Sequence, residues 1–168
     1  MDITIFKDIK QTSQPFYRNI NLVLKRIQDG ASKDIVKKIR SEKDKKNRNI
    51  LKQKLPAICF SGTFTKRNDN AIKEHSGIIC LDFDGYNNNR DLLQEKERLS
   101  KDKFIHAVFI SPSGNGLKAL VKIPPIAENH KSYFLSLQNH FGSEHFDKTS
   151  KNLSRVCYES YDPLIHVN

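Results

Sequence analysis

A short apolar run at residues 77–81 constrains the fold of this chain more than any other feature. It reads Gly-Ile-Ile-Cys-Leu and leads directly into the acidic pair Asp82 and Asp84. An apolar run without polar alternation is typical of a strand buried at the centre of a sheet. We therefore expect a sheet whose buried central strand ends in two carboxylates.

The remaining apolar patterns predict further strands and helices around this strand. Strand character is found at residues 2–6, 57–60, 104–110, 117–123 and near Ile165. Helical spacing predicts helices over residues 16–29, from residue 33 onward, over about 90–100 and over 129–141, with caps at Gly30, Ser32 and Asn89. Turn residues after residue 110 predict a hairpin. This mixture predicts an α+β fold with the helices on one side of the sheet.

The length of 168 residues fits a single domain. We expect a helical, basic N-terminal part at residues 1–56, ended by Pro56, and the sheet at residues 57–168. No apolar run approaches the length that crosses a bilayer, and the N-terminal residues lack the apolar core of a signal peptide. The sequence therefore argues against a membrane partner, and we expect a cytoplasmic protein.

The net charge of +10 is concentrated in one segment of the chain. Residues 33–54 contain ten Lys and Arg residues against three acidic ones. A basic helix face is typical of proteins that contact phosphate backbones. We predict that this segment contacts single-stranded nucleic acid; a merely solvated lysine-rich face is the alternative. The residues proposed for contact are Lys37, Lys38, Lys45 and Lys46.

Asp82 and Asp84 form the first group with catalytic potential. Residues two apart in a strand point to the same face, so the two carboxylates lie side by side. Close like charges repel, and a divalent cation relieves the repulsion. We therefore expect a metal site whose metal-free form is locally destabilised. The alternative is a pair of exposed acids at the end of a strand.

Two further groups add phosphate-binding potential. Residues 111–118 read Ser-Pro-Ser-Gly-Asn-Gly-Leu-Lys, and small residues let backbone N–H groups approach a phosphate, to which Lys118 adds a charge. The spacing is not that of a P-loop, and an ordinary hairpin turn is the alternative. Asp147 is a candidate third carboxylate, and Arg155 is a candidate bidentate ligand of a triphosphate. Each of these two, taken alone, is also typical of surface ion pairs.

In their order along the chain, these motifs resemble the archaeo-eukaryotic primase superfamily, in its primase-polymerase branch. The resemblance is closest to the bacterial and phage VirE N-terminal domain, and it covers the chain from about residue 30 to the end. The matching pieces are residues 61–67, 76–84, 111–118, 146–147 and 154–163.

The resemblance implies a two-metal nucleotidyltransferase on an RNA-recognition-motif-like (RRM-like) sheet. Asp82, Asp84 and Asp147 would be catalytic ligands of two Mg²⁺ or Mn²⁺ ions. The nucleotide-binding residues would be Ser113, Gly114, Gly116, Lys118 and Arg155, and Arg67 would join the basic segment in binding nucleic acid. One departure from the family pattern is that the second motif usually has a His where this chain has Lys118, which lacks the near-neutral pKa of His.

The implied activity is that of a DNA primase or polymerase in DNA replication, encoded by a bacterium, plasmid or phage. It would make primers or extend strands from nucleoside triphosphates on single-stranded DNA. A helicase domain or subunit is an expected partner, because the domain usually precedes a helicase-like region in a longer protein. Two alternatives stay open: a non-catalytic nucleic-acid-binding module of the same fold, and a haloacid-dehalogenase-like phosphatase, whose first motif also has the form D-x-D.

Overall fold

All ten strands of the protein belong to three antiparallel sheets. The computed structural model describes residues 1–168. The strands are β1 (Asp2–Phe6), β2 (Phe16–Asn19), β3 (Ala57–Cys59), β4 (Gly62–Phe64), β5 (Ile72–His75), β6 (Ile78–Asp84), β7 (Ile105–Ile110), β8 (Gly116–Lys122), β9 (Cys157–Tyr158) and β10 (His166–Val167). The α-helices are α1 (Ile20–Asp29), α2 (Lys33–Ser41), α3 (Lys45–Lys52), α4 (Asn89–Ser100) and α5 (His130–Phe141). This content confirms the α+β class.

The central sheet has the strand order β10-β7-β8-β6, so β6 is an edge strand and the expectation that it lies at the centre of a sheet is wrong. Its apolar run reflects burial of both its faces and not a central position. The strand β6 pairs with β8 along its whole length, from Ile78 opposite Lys122 to Asp84 opposite Gly116. Since β6 and β7 both run antiparallel to β8, they are parallel to each other, and α4 connects them. This arrangement is a split β-α-β unit with β8 inserted between the two parallel strands. The predicted hairpin is present as β7 and β8.

The two faces of the central sheet are covered by different layers. On one face, Ile79, Leu81 and Phe83 share a buried cluster with residues of α4 and α5. On the other face, Ile78 and Leu120 share a second cluster with α1 and with strands of the N-terminal sheet. The expectation of helices on one side is therefore incomplete, because β6 alternates two apolar faces and both are covered.

The N-terminal sheet has the order β2-β1-β3-β9 and joins the two ends of the chain. Residues 16–19, predicted as helix, form strand β2 opposite β1. Helix α1 begins only at Ile20, where the Asn19 side chain accepts a hydrogen bond from the backbone N–H of Asn21 at 3.0 Å. Strand β1, predicted from residues 2–6, also pairs with β3, so the N-terminal residues share a sheet with residues beyond Pro56.

The basic segment forms two helices where one was predicted. Helix α2 ends at Ser41, and the Asp44 side chain accepts a hydrogen bond from Asn47 N at 2.8 Å, which caps a new helix, α3. Ser32 precedes α2 but does not cap it, since its hydroxyl donates to Glu159 at 2.5 Å. Similarly, Asn88 and not Asn89 caps α4. Strands β4 and β5 were not predicted.

Buried ion pairs fasten the C-terminal residues to the rest of the fold. The ammonium of Lys96 in α4 donates to Asp162 Oδ2 at 2.6 Å and to the Leu164 carbonyl at 2.7 Å. The same carboxylate oxygen accepts from Ile110 N at 2.9 Å, at the end of β7. Glu159, which is fully buried, accepts from the Arg26 guanidinium at 2.8 and 3.1 Å. These contacts attach α1, α4 and β7 to residues 159–164.

Replacing Lys96 by Met should lower the free energy of unfolding by about 3–5 kcal/mol, because it leaves the Asp162 carboxylate buried without its cation. The matched control is Lys101→Met, which removes an exposed lysine paired with Glu97 one helical turn away. We expect the control to change stability by less than about 0.5 kcal/mol. Urea unfolding curves measure both; equal losses would show that the buried pair has no special role.

Candidate metal and nucleotide site

Three carboxylates meet at the end of β6. Asp82 and Asp84 point to the same side of this strand, while Phe83 packs on the opposite side against Phe141 and Phe146. Asp147 is brought beside them by a short stretch of chain that pairs with the edge of β6. Single carboxylate oxygens of the three aspartates lie within 4.8 Å of one another. The structure therefore brings together the three predicted acidic residues.

Backbone hydrogen bonds account for the approach of Asp147. Phe83 and Phe146 form an antiparallel bridge, and Asp147 N donates to the Asp82 carbonyl at 2.8 Å. On the other side of the bridge, Asp84 N donates to the His145 carbonyl, also at 2.8 Å. The acids are thus aligned by main-chain pairing and not by flexible side chains.

Two cations already contact this acidic group. Lys118 lies opposite Asp82 in the β6–β8 register, and its Nζ is 2.6 Å from Asp82 Oδ1. Arg155 Nη2 lies 3.7 Å from Asp82 and 3.5 Å from Asp147. Burial acts most strongly, to lower the pKa of Lys118, but the surrounding groups, with Asp82 first among them, together outweigh it, so that the pKa is raised. The repulsion among the three acids is therefore partly offset by Lys118 and Arg155, and the local destabilisation expected of the metal-free form stays a prediction.

The carboxylates of Asp147 and Asp84 differ in how many hydrogen-bond donors and cations the protein provides for them. Desolvation would raise the pKa of Asp147, but hydrogen bonds from Ser150 and Thr149 outweigh it, so that the pKa is lowered. Ser150 Oγ donates at 2.6 Å, and Thr149 donates through its backbone and its hydroxyl at 2.9 and 2.7 Å. For Asp84, desolvation raises the pKa, and the charges of Asp82 and Asp147 add to it against that of Lys118. Asp84 makes no ion pair and is the exposed member of the group.

The sequence interpretation missed Thr149 and Ser150. The signal was present, since Asp147 is followed by Lys-Thr-Ser, and Asp, Ser and Thr side chains commonly bond to nearby backbone groups in turns. Ser150 also lies 3.4 Å from Asp82 Oδ2, so it contacts two of the three acids. These two residues hold the carboxylate of Asp147 in place.

The turn at residues 111–118 meets the acids through Gly116 and Lys118. Gly116 lies opposite Asp84, and a Cβ built on it would stand 2.5 Å from Asp84 Oδ1, so no side chain fits there. Gly114 has a φ of +82° and packs against the side chain of Arg40. Ser113 lies partly exposed in the turn. Gly116 thus leaves room for the Asp84 carboxylate, and Gly114 leaves room for the Arg40 side chain.

Helix α2 holds this turn in place. The Arg40 guanidinium donates to the Ser111 carbonyl at 3.1 Å and to the Tyr161 carbonyl at 2.9 Å. Desolvation lowers the pKa of Arg40, against the opposing charge of Asp162. The basic segment is therefore attached to the candidate site by a specific contact.

The predicted nucleic-acid contacts fall into two groups. Lys37, Lys38, Lys45 and Lys46 are all exposed and form no ion pair. Arg67 instead donates to the Ile9 carbonyl at 2.8 Å, and its own N–H donates to Thr12, so its guanidinium supports the loop after β1. The four lysines remain available to a ligand, whereas Arg67 has a structural contact.

One face of α3 extends the basic surface to the acids. Lys45, Arg48 and Lys52 recur at helical spacing. Burial lowers the pKa of Lys52, and the nearby charge of Lys118 lowers it further, while Asp84 opposes this effect. Lys52 therefore lies near the acidic group, although the sequence interpretation did not assign it to the site.

The donor set suits Mg²⁺ or Mn²⁺, since three carboxylates offer only oxygen ligands. Lys118 and Arg155 approach some of the oxygens that an ion would use. Asp84 is free of such partners, and an ion bound there would compete least with the resident cations. The residues present therefore fit a divalent ion.

Comparison with known proteins assigns the chain to a family. The family model described as BT4734-like, N-terminal domain, matches residues 50–166, which include all three aspartates, Lys118 and Arg155. Neither the curated proteins nor the solved structures contain a significant match. No helix is long and apolar enough to cross a membrane. Since the match covers more than half of the chain, the protein belongs to the BT4734-like N-terminal domain family.

Proposed function

We propose that the protein is a metal-dependent nucleotidyltransferase of the primase-polymerase type. It would make or extend DNA strands on a single-stranded template during replication, with a helicase domain or subunit as a partner. The observation that carries this proposal is the convergence of Asp82, Asp84 and Asp147 within 4.8 Å, beside Lys118 and Arg155. Acids that hold divalent ions next to cations that hold phosphates are the parts that phosphoryl transfer needs.

Each group has a defined part in this proposal. The three aspartates would hold Mg²⁺ or Mn²⁺, which supplies Lewis-acid polarisation of the transferred phosphoryl group. Arg155, whose side chain is 41% exposed, can turn its guanidinium from the carboxylates to the triphosphate. Lys118 neutralises Asp82, and its ammonium would also interact with a phosphate bound beside the aspartates. The basic helices α2 and α3 would guide the template strand to the site.

The topology supports the RRM-like part of the proposal. The elements β6, α4, β7, β8 and α5 follow one another in the β-α-β-β-α order of that fold. The fourth strand of the sheet, β10, departs from that fold, because it pairs with β7 and not with β6. The acids lie at the end of β6, the first strand in this series.

One observation favours a second candidate function, that of a non-catalytic nucleic-acid-binding module. Lys118 Nζ lies 2.6 Å from Asp82 Oδ1 and thereby takes up one oxygen of the central carboxylate. A buried, ion-paired lysine can replace a metal ion as a structural cation. In that case the basic helices would still bind DNA, but the acids would only stabilise the fold.

A primer-synthesis assay tests the proposal. Wild-type protein is incubated with Mn²⁺ or Mg²⁺, labelled nucleoside triphosphates and single-stranded template, and new phosphodiester product is expected. Asp84→Asn and Asp147→Asn should lose the product, because each removes a metal ligand. Asp29→Asn is the matched control, since Asp29 is exposed and paired only with Lys25. Template binding without product supports the second candidate, and phosphate release from a phosphomonoester supports a phosphatase.

Divalent ions should stabilise the wild-type protein through Asp84. In a thermal melt, the Tm should rise with the logarithm of the Mn²⁺ concentration, because only the folded state binds the ion. Asp84→Asn should abolish this rise, and Asp29→Asn should retain it. Asp82→Asn is a poor substitute because it leaves Lys118 buried without its partner, which destabilises the metal-free protein. Parallel responses of wild type and Asp84→Asn would contradict the metal site.

Binding of single-stranded DNA should weaken steeply with salt and depend little on base sequence. Replacing Lys37, Lys38, Lys45 and Lys46 by Gln should reduce the slope of log K against log salt by about 3, because each phosphate contact contributes about 0.7 for single strands. Fluorescence anisotropy measures the slope. The charge-matched control replaces the exposed Lys7, Lys73, Lys101 and Lys103. A slope that drops equally in both variants would show that only net charge matters.

A further inference from the structure

A cavity separate from the acidic group lies beside the loop that carries Asp147, Ser150 and Arg155. Its volume is about 510 Å³, and it lies between the start of α5 and residues 151–153 of that loop. Its polar lining residues include Asn70, Glu128, His130, Lys131, Lys151 and Asn152. The space is large enough for a phosphate group and part of the molecule that bears it.

A chain of hydrogen bonds fixes the tautomer of His130 at this cavity. Gly77 N donates to His75 Nδ1 at 2.9 Å, so that nitrogen carries no proton. The neutral ring of His75 therefore has its proton on Nε2, which donates to His130 Nδ1 at 3.0 Å. By the same reasoning, the neutral His130 ring carries its proton on Nε2. Burial lowers the pKa of both rings, that of His130 to about 4, which agrees with two neutral imidazoles.

His130 presents this proton without a partner. The residue is only 4% exposed, yet the structure gives its Nε2 no hydrogen-bond acceptor. His130 lines the cavity on one side and a small void beside Ser150 and Arg155 on the other. It therefore offers a fixed donor to an acceptor that enters between α5 and the loop.

The other groups of the cavity also favour an acceptor with negative charge. Lys131 and Lys151 form no ion pair with the protein. The turn Ala127–Asn129 leads into α5, and no side chain caps it, so the positive end of the helix dipole faces this region. Of the two acids, Asp69 Oδ1 is satisfied by the Ser154 backbone and hydroxyl at 2.7 and 2.5 Å, and Glu128 is exposed. Two unpaired lysines thus line the cavity together with two carboxylates, of which that of Asp69 already has donors from Ser154.

We propose that this cavity binds a phosphate group of a nucleotide or of a nucleic-acid strand, with His130 Nε2–H, Lys131 and Lys151 as its donors. The anion site rests on these donors alone, while the choice of phosphate rests on the proposed function. The loop connects the two sites, because Ser150 bonds to Asp147 and the next residues line the cavity.

Isothermal titration in EDTA tests the site without any contribution from metal. The probes are inorganic phosphate, a deoxynucleoside triphosphate and a 5′-phosphorylated single-stranded oligonucleotide. The double variant Lys131→Met/Lys151→Met should weaken binding about tenfold or more, as expected for the loss of charged donors. The control Lys103→Met/Lys148→Met removes the same charge from exposed positions and should change affinity less than about twofold. Tighter binding of the triphosphate or of the oligonucleotide identifies the phosphate source.

A second measurement does not depend on variants. The ¹⁵Nε2 resonance of His130 should shift on addition of each bound probe, while that of the exposed His140 should not. No saturable binding of any probe, or equal loss of affinity in the two double variants, would overturn the proposal. Since neither measurement needs turnover or metal, a protein that fails the primer-synthesis assay can still pass both.

Discussion

The rest of the structure depends on the burial of β6 on both faces. Because side chains alternate along the strand, Ile79 and Leu81 require the helical layer, whereas Ile78 requires the N-terminal sheet and α1. Asp82 is still buried, and Asp84, the last residue of the strand, is exposed. The location of the candidate site thus follows from packing: it is where a strand covered on both faces reaches the end of its two covering layers.

Features set by local pattern could be predicted from the sequence, while those set by strand register could not. The apolar run of β6, the β7–β8 hairpin and the helices α4 and α5 all follow from residues close together in the chain. The Lys118–Asp82 contact does not, because it depends on which residues of β6 and β8 face each other. Strand β2 was mistaken for helix because the helical spacing of α1 was extended back past Asn19. Its true state is set by pairing with β1, which no local pattern reveals.

The candidate site also shows how basic side chains offset the negative charge of an acidic group that holds no metal. Three carboxylates share it with Lys118 and Arg155, and Lys52 lies nearby. The two cations offset part of the negative charge of the group, and Asp84 is the acid without an ion-pair partner. The same basic residues that balance the acids also extend toward the exposed lysines of α2 and α3. The same distribution of positive charge therefore offsets the carboxylates and also makes this surface suitable for phosphates.

The contacts of residues 145–162 have a consequence for the order in which the protein acquires its structure. During synthesis, Asp82 and Asp84 emerge well before the residues that align Asp147 with them or that satisfy Lys96 and Arg26. Pairings between residues far apart in the chain form late, because closing the intervening loop has an entropic cost. A nascent chain that ends before residue 145 would contain most of the central sheet but no third carboxylate. The three carboxylates therefore cannot meet until residues 145–147 have left the ribosome, whereas β6 with its two carboxylates can pair with β8 before that point.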